Sequence, residues 1–287
     1  MTRRDEISIE QVVARAVEGS RDALEEVVRR IQDQVYGLSL RMLFHPMEAE
    51  DATQEILIKV ITNLKAFRFE GSFRGWVFRI AVNHLKGARK TMWERVGYDQ
   101  DKAQAHIDRA QARGWFSQPL EAPEALLEVE MRSACTQALL MTLDRAHRVV
   151  FILAVVMEVS SREGAEILDI TPAAFRQRLS RGRRRVMEFL RTNCGLFDQG
   201  NPCTCAALAA GRVSQGWLNP GRLLFASPED GGEDHALLRD YMKELDELGR
   251  LSAMFNAMPR TKSPQDFAAQ VRDILAAGGY RILAERN

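Results

Sequence analysis

No stretch of this 287-residue chain is apolar for long enough to cross a bilayer: the longest run, Val149 to Met157, is about half of the roughly 20 residues that a spanning helix requires. The N-terminal Met1-Thr-Arg-Arg-Asp-Glu has no apolar core behind its charges, so neither membrane insertion nor export is expected. Cysteine is scarce. Cys135, Cys194, Cys203 and Cys205 are too few and too clumped to frame a disulfide scaffold, which points to a reducing cytoplasm. A phosphate-cradling glycine loop, an internal repeat and a low-complexity tract are all missing, so neither nucleotide hydrolysis nor a solenoid is indicated.

What is there is a globular balance of 46% apolar and 28% charged residues, enough for the two to three domains that the length suggests. A net charge of +1 would argue against nucleic acid if it were evenly spread. It is not. Between Phe175 and Arg191, the arginines Arg176, Arg178, Arg181, Arg183, Arg184, Arg185 and Arg191 face the single acid Glu188, while Glu229 to Glu247 is rich in carboxylates. The near-neutral sum hides a strong local cation.

Apolar periodicity predicts an all-α chain. Leu24, Val27, Val28, Ile31, Val35, Leu38 and Met42 mark an amphipathic helix ending near His45-Pro46. Residues 48–64 form a second helix with Ala52, Ile56, Val60 and Leu64 on one face and Asp51, Gln54, Glu55 and Lys59 towards another. A short loop, Phe67 to Phe73, leads into a helix over 73–89. Residues 97–123 read as a polar linker broken by Ile107 and Trp115-Phe116. Helical periodicity returns over 125–141, 145–158, 161–168 and 172–190, and again over about 235–256 and 263–277. The expected organisation is an N-terminal segment (1–20), a helical domain (21–96), the linker (97–123), a second helical domain (124–191) and an extension (192–287).

The sharpest local signal is Ser161-Arg-Glu-Gly-Ala-Glu-Ile-Leu-Asp-Ile-Thr-Pro-Ala-Ala-Phe-Arg. Ala165 and Leu168 face inward, Asp169-Ile170 make a tight turn with Ile170 as a buried plug, and Thr171 caps a new helix with Pro172 at its first position. This is a helix-turn-helix. Its second helix would enter the major groove, with Ala173, Ala174, Arg176, Gln177 and Ser180 near base edges and Phe175 and Leu179 packed inward. Arg181, Arg183, Arg184 and Arg185 point all round the helix and suit phosphates. A plain basic solvated face is the blander reading of the same arginines.

With Ala49-Glu-Asp-Ala-Thr-Gln-Glu55 and Phe67-Arg-Phe-Glu-Gly-Ser-Phe-Arg-Gly-Trp-Val-Phe-Arg-Ile-Ala-Val-Asn83 upstream in that order, the chain resembles a bacterial extracytoplasmic-function (ECF) sigma factor over roughly residues 20–190. The resemblance implies a region 2 bundle and a region 4 helix-turn-helix. It implies a promoter-specificity subunit and not an enzyme, with core RNA polymerase and promoter DNA as partners and an anti-sigma factor as a further one. Asp51, Gln54 and Glu55 would face the polymerase clamp helices. Phe67, Arg68, Ser72, Phe73, Arg79, Asn83 and Lys86 would take a flipped base and single strand of the −10 element. The −35 element would fall to Ala173, Ala174, Arg176, Gln177, Ser180, Arg181 and Arg184. Trp76 reads as mainly structural. Other readings stay open: a one-component repressor with a ligand- or metal-sensing tail, whose helix-turn-helix would serve a dimer, and an enzyme with a cysteine nucleophile, for which no His and Asx context is visible.

Two departures and one addition stand out. Gly164 replaces the family's usual aliphatic residue and Gly182 its usual alanine, each weakening its helix by up to about 1 kcal/mol. Beyond Leu190, Cys194, Cys203 and Cys205 could supply three thiolates to zinc or copper, with a water, His235 or Cys135 as a fourth ligand; unligated thiols packing a turn are the alternative. Trp217 to Ala226 is apolar enough to dock on another surface, and the extension as a whole is expected to contact and regulate the chain's own sigma domains.

Overall fold

The computed structural model describes residues 7–116, 125–227, 235–257 and 263–276. Along the chain run α1 (Ile9–Val17), α2 (Arg21–Leu43), α3 (Pro46–Thr62), α4 (Phe73–Gly87), α5 (Met92–Arg95), α6 (Gln100–Ala112) and α7 (Ala125–Met141). They are followed by α8 (Arg145–Phe151), which continues as a π-turn over Ile152–Val156, then α9 (Ser161–Leu168), α10 (Pro172–Asn193), α11 (Cys205–Ser214), α12 (His235–Glu244), α13 (Glu247–Asn256) and α14 (Phe267–Ala276). The β structure among the described residues is one isolated parallel bridge, Cys194 to Cys203. Two compact units result: Met1–Arg89 with Ala165–Asp169 and Thr261–Asn287, and Lys90–Gly164 with Ile170–Arg260.

In the first unit α2 is central. Its periodic set from Leu24 to Met42 is buried, and from Val35 to Leu43 so is every other residue, Ser39 and Arg41 included. α1, α3, α4 and α14 all pack against this helix. Arg41 donates from Nη1 to Gly37 O at 3.1 Å, and burial lowers its pKa to about 10. α1 lies where only an N-terminal segment was expected. Ser8 starts it through a capping box with Gln11, and Val12, Val13 and Ala16 are buried. The reversal into α3 needs a positive φ at Phe44, 73°, just before Pro46 opens the new helix.

The last of the described helices, α14, belongs to this unit. Phe267, Ala268 and Val271 of α14 are buried, Phe267 and Val271 contributing about 1.5–3 kcal/mol each. Polar contacts set its register: Ser263 N donates to Asp33 Oδ1 at 2.9 Å, Ala268 N to Gln32 Oε1 at 3.3 Å, and Gln265 Nε2 to Glu50 Oε2 at 2.6 Å. Arg272 adds an ion pair to Glu25 at 3.4 Å.

The second unit absorbs much of the stretch that reads as a linker. α6 packs against α7 and α10. The apolar residues that interrupt its polar pattern hold it there: Trp115 sits in a cluster with Leu127, Met131, Cys203 and Leu208, and Ile107 and Phe116 pack beside it. Gly211 makes room, since a Cβ there would lie 2.2 Å from the Trp115 ring. Residues 117–123 of the expected linker lie outside the described residues.

Charged side chains, Arg148, Glu130 and Arg132 of them buried, tie further pieces to the same unit. Glu94 accepts from Arg145 Nε and Nη2 at 2.8 Å each and from Arg148 Nη1 at 3.1 Å, while Arg148 also donates to the carbonyls of Leu140 and Leu143. Burial alone would raise the Glu94 carboxyl. The Arg145 hydrogen bonds, the Thr91 backbone and the charges of Arg148 and Arg145 outweigh it and bring the pKa down to about 2. Glu130 of α7, 2% exposed, accepts the backbone N–H groups of Leu224, Phe225 and Ala226 at 2.8–3.0 Å. Arg132, also on α7, donates from Nη2 to Ala257 O at 2.6 Å. The apolar segment after Trp217 thus docks on α7, with Leu218 and Leu223 against the Trp115 cluster.

Candidate nucleic-acid interface

Asp51, Gln54 and Glu55 are all exposed on α3, within one turn of each other. On the same helix Glu50, four residues before Gln54, is already engaged by Gln265, so the stretch leading into α14 starts beside this acidic surface. Glu55 Oε2 lies 3.8 Å from His84 Nε2, and Lys59 Nζ lies 2.6 Å from His84 Nδ1. Burial, then Lys59, lower the His84 pKa against an opposing pull from Glu55.

The loop before α4 is built on aromatics. Phe67 contacts Phe69, Phe73 and Trp76 at centroid distances of 4.7, 5.3 and 5.6 Å, and Phe73 stacks on Trp76 at 5.7 Å. Phe67 and Phe73 are 6% and 1% exposed, so they brace the loop and do not offer their faces to a ligand. The exposed ring of the loop is Phe69, 48% accessible and held at φ 57°, a residue outside the expected −10 set and with no mark in the sequence to separate it from Phe67 and Phe73. Ser72 caps α4 by accepting from Gly75 N at 3.0 Å. Arg68 is exposed beside it, and Arg79, Asn83 and Lys86, spaced four and three apart on α4, form an exposed stripe. Trp76 is half-buried against Phe73, as expected of a structural residue.

In the helix-turn-helix, Ala165, Ile167 and Leu168 are buried, Asp169 makes the turn with φ 55°, and Thr171 Oγ1 accepts from Ala174 N at 3.1 Å. Ile170 is only half-buried, not the closed plug that was expected. Phe175 and Leu179 point inward, leaving Ala173, Arg176, Gln177, Ser180, Arg181 and Arg184 exposed and Ala174 half-exposed. Arg176, Arg183, Arg184 and Arg191 line an open cleft of about 730 Å³ with Ser161 and Ser180. The extension closes one end of it: Leu248 is in the wall, and Glu247 accepts from Arg191 Nε and Nη2 at 2.9 and 2.8 Å.

One of the two departures acquires a reason here. A Cβ at Gly164 would meet the Phe175 ring at 2.3 Å, so the glycine is what lets Phe175 pack. At Gly182 the nearest atoms are 3.8 Å away, and an alanine would fit.

The four cysteines are free, and all fall in the second unit. Cys203 is buried in the Trp115 cluster with Cys135 and Cys205 packed against it, and Cys194 pairs with Cys203 through the backbone bridge. Burial raises every thiol pKa, that of Cys135 to about 11. No group of three or more potential ligands stands arranged to hold a metal ion among the described residues. The side chain of His235 lies outside them.

Residues 27–94 match the family model for sigma-70 region 2, and residues 133–186 that for sigma-70, region 4. The ECF RNA polymerase sigma factor SigW of Bacillus subtilis is 30% identical over 191 residues, which cover 65% of this chain and 98% of that protein. The ECF RNA polymerase sigma factor SigE of Mycolicibacterium smegmatis is 26% identical over 170 residues, 58% of this chain and 61% of that one. Among solved structures, CnrH in complex with the cytosolic domain of CnrY aligns at 20% identity and a TM-score of 0.44, covering 63% of this chain and 96% of that chain. The two region models fall, in order, on the acidic helix with its aromatic loop and on the helix-turn-helix, and SigW is matched nearly end to end: the chain belongs to the ECF RNA polymerase sigma factors.

Proposed function

We propose that this sigma factor docks on the clamp of core RNA polymerase through Asp51, Gln54 and Glu55, and reads the −35 element with the first turns of α10. Arg68, Phe69, Ser72, Arg79, Asn83 and Lys86 hold the opened −10 strand, on the scaffold of Phe67 and Phe73. The carrying observation is the division of exposed charge: acceptors on α3, a cationic stripe on α4 and an arginine-lined α10. Acceptors suit a basic protein partner, and arginines suit phosphates and guanine edges. Binding energy drives strand opening, so no covalent chemistry by the protein is invoked. No described helix is long and apolar enough to cross a membrane, in keeping with work on cytoplasmic polymerase, and an anti-sigma protein is a natural further partner.

The extension regulates this activity. α14 covers α2, Gln265 just before it engages Glu50 next to the proposed polymerase face, and Glu247 occupies Arg191 at the end of α10. In vitro transcription with purified core enzyme tests the whole reading. Addition of the full chain should select a discrete set of start sites. Failure to co-purify with core enzyme, or binding as a dimer to a palindrome, would return the repressor reading.

A further inference from the structure

One face of α10 carries cations along most of its length. Arg176, Ser180, Arg184 and Arg191 follow one another at intervals of four, four and seven residues, which return them to the same side of the helix, and all line the open cleft. At 1.5 Å per residue, Arg191 stands about 22 Å beyond Arg176, a distance over which duplex DNA presents several phosphates of each strand. Its exposed guanidinium already holds a carboxylate: Nε and Nη2 donate to the two oxygens of Glu247 at 2.9 and 2.8 Å. A fork of two N–H groups on two acceptor oxygens is also the way arginine takes a backbone phosphate. We propose, on the reading of α10 as the −35 helix, that Arg191 is a further DNA-backbone contact and that Glu247 occupies it as a surrogate phosphate, so that the extension holds the factor's affinity for DNA below what α10 alone gives.

Glu247 is held in place independently of the ion pair. Asp246 caps α13 by accepting from Gly249 N at 2.7 Å, which sets Glu247 at the first helical position, where the positive end of the helix also favours a carboxylate. Leu251, Met254 and Phe255 of α13 are buried, and Phe255 meets Phe151 of α8 edge-on with ring centroids 5.0 Å apart. Arg250 donates from Nη1 to Phe197 O at 3.2 Å and lies over the Phe197 ring, and Arg132 holds the far end of the helix through Ala257 O. A packed helix therefore presents the carboxylate, and Leu248 beside it lines the cleft. Glu188 lines the cleft too, but it belongs to α10 itself; Glu247 is the acid that the extension brings.

The pair is built to exchange. The side chains of Arg191 and Glu247 are 53% and 40% exposed, so water and salt screen their attraction and little stability is lost when they part. A DNA phosphate offers the same fork and also releases the counterion condensed on it. DNA displaces Glu247 at a cost in affinity, and the contact acts as a brake on binding.

The experiment is a titration of the full chain with fluorescently labelled duplex DNA at several salt concentrations, read by anisotropy. Glu247→Gln should bind more tightly than the parent and steepen the fall of log K with log salt by about 0.9, so that its advantage grows about threefold as salt is lowered from about 200 to about 50 mM. Loss of any acid reduces repulsion of DNA, so a double variant separates the two causes. Arg191→Gln added to Glu247→Gln should abolish the steepened slope and most of the gain, whereas relief of repulsion alone would persist. Circular dichroism reports whether the variants fold; if they do not, saturating DNA should protect Arg191 of the unaltered chain from an arginine-selective reagent. The proposal is overturned by a Glu247→Gln protein with the parent's affinity and slope, by a gain that survives the loss of Arg191, or by an Arg191 that stays reactive on DNA. Start-site selection with core polymerase, measured on the parent, reports the sigma-factor reading separately: a factor that selects start sites and fails the salt test loses this proposal alone.

Discussion

Phe175 lies against the bare backbone of Gly164, so close that any Cβ there would sit 2.3 Å from its ring. The helix-turn-helix is packed through an absent side chain. Gly164→Ala should therefore destabilise the second unit by about 1–3 kcal/mol through overpacking, although alanine is the better helix former. Gly182→Ala, with 3.8 Å of clearance, should stabilise by up to about 1 kcal/mol. Urea unfolding of both variants checks the pair, and the same sign of change in each would sink the explanation.

Glu94 makes stability depend on acid. Its folded pKa of about 2 lies below the ordinary 4.5, so its contribution is complete above pH 4.5 and is lost as pH falls towards 2. The shift corresponds to about 3 kcal/mol at neutral pH. Glu94→Gln leaves Arg148 buried without its counter-charge and should cost a similar amount at pH 7, with the gap to the parent narrowing as the pH is lowered from 4.5. A variant equally stable at pH 7 would show the contact to be idle.

On α10 the arginines should divide by role. Arg176→Ala should lose about 1–3 kcal/mol of discrimination at one position of the upstream element, while Arg184→Ala should weaken binding to all sequences and lower the salt slope by about one. Binding titrations on single-base promoter variants at several salt concentrations measure both. Indistinguishable profiles would abolish the division.

Phe267→Asp should release α14 from α2, since Phe267 is 2% exposed there. With Glu50 freed, core polymerase should bind about tenfold tighter or more. Unchanged affinity, with increased protease sensitivity proving release, would mean that α14 stabilises the unit and does not regulate it.

Much of this was legible from residue order. The periodic set of α2, the bounds of α7 and the cap and proline of α10 are local signals, and local physics places them. What escaped depends on distant partners. α1 is only nine residues long, and its burial is decided by α2. α6 is polar on most faces and is held by Trp115 against residues a hundred positions later. The exposure of Phe69 in place of Phe67 and Phe73 follows from how four rings share one small space. In sequence Cys135 stands beside the later cysteines only as one of three alternatives; its place against the cluster that holds Cys203 is decided by a distant segment folding onto α7.

Because α14 is a wall of the first unit but lies at the far end of the chain from α4, translation delivers the two at different times. At roughly 5–20 residues per second the interval is about ten to forty seconds. Throughout it, the nascent α2 stands uncovered along the flank that α14 later takes, and a partner waiting near the ribosome meets the factor before its own tail does.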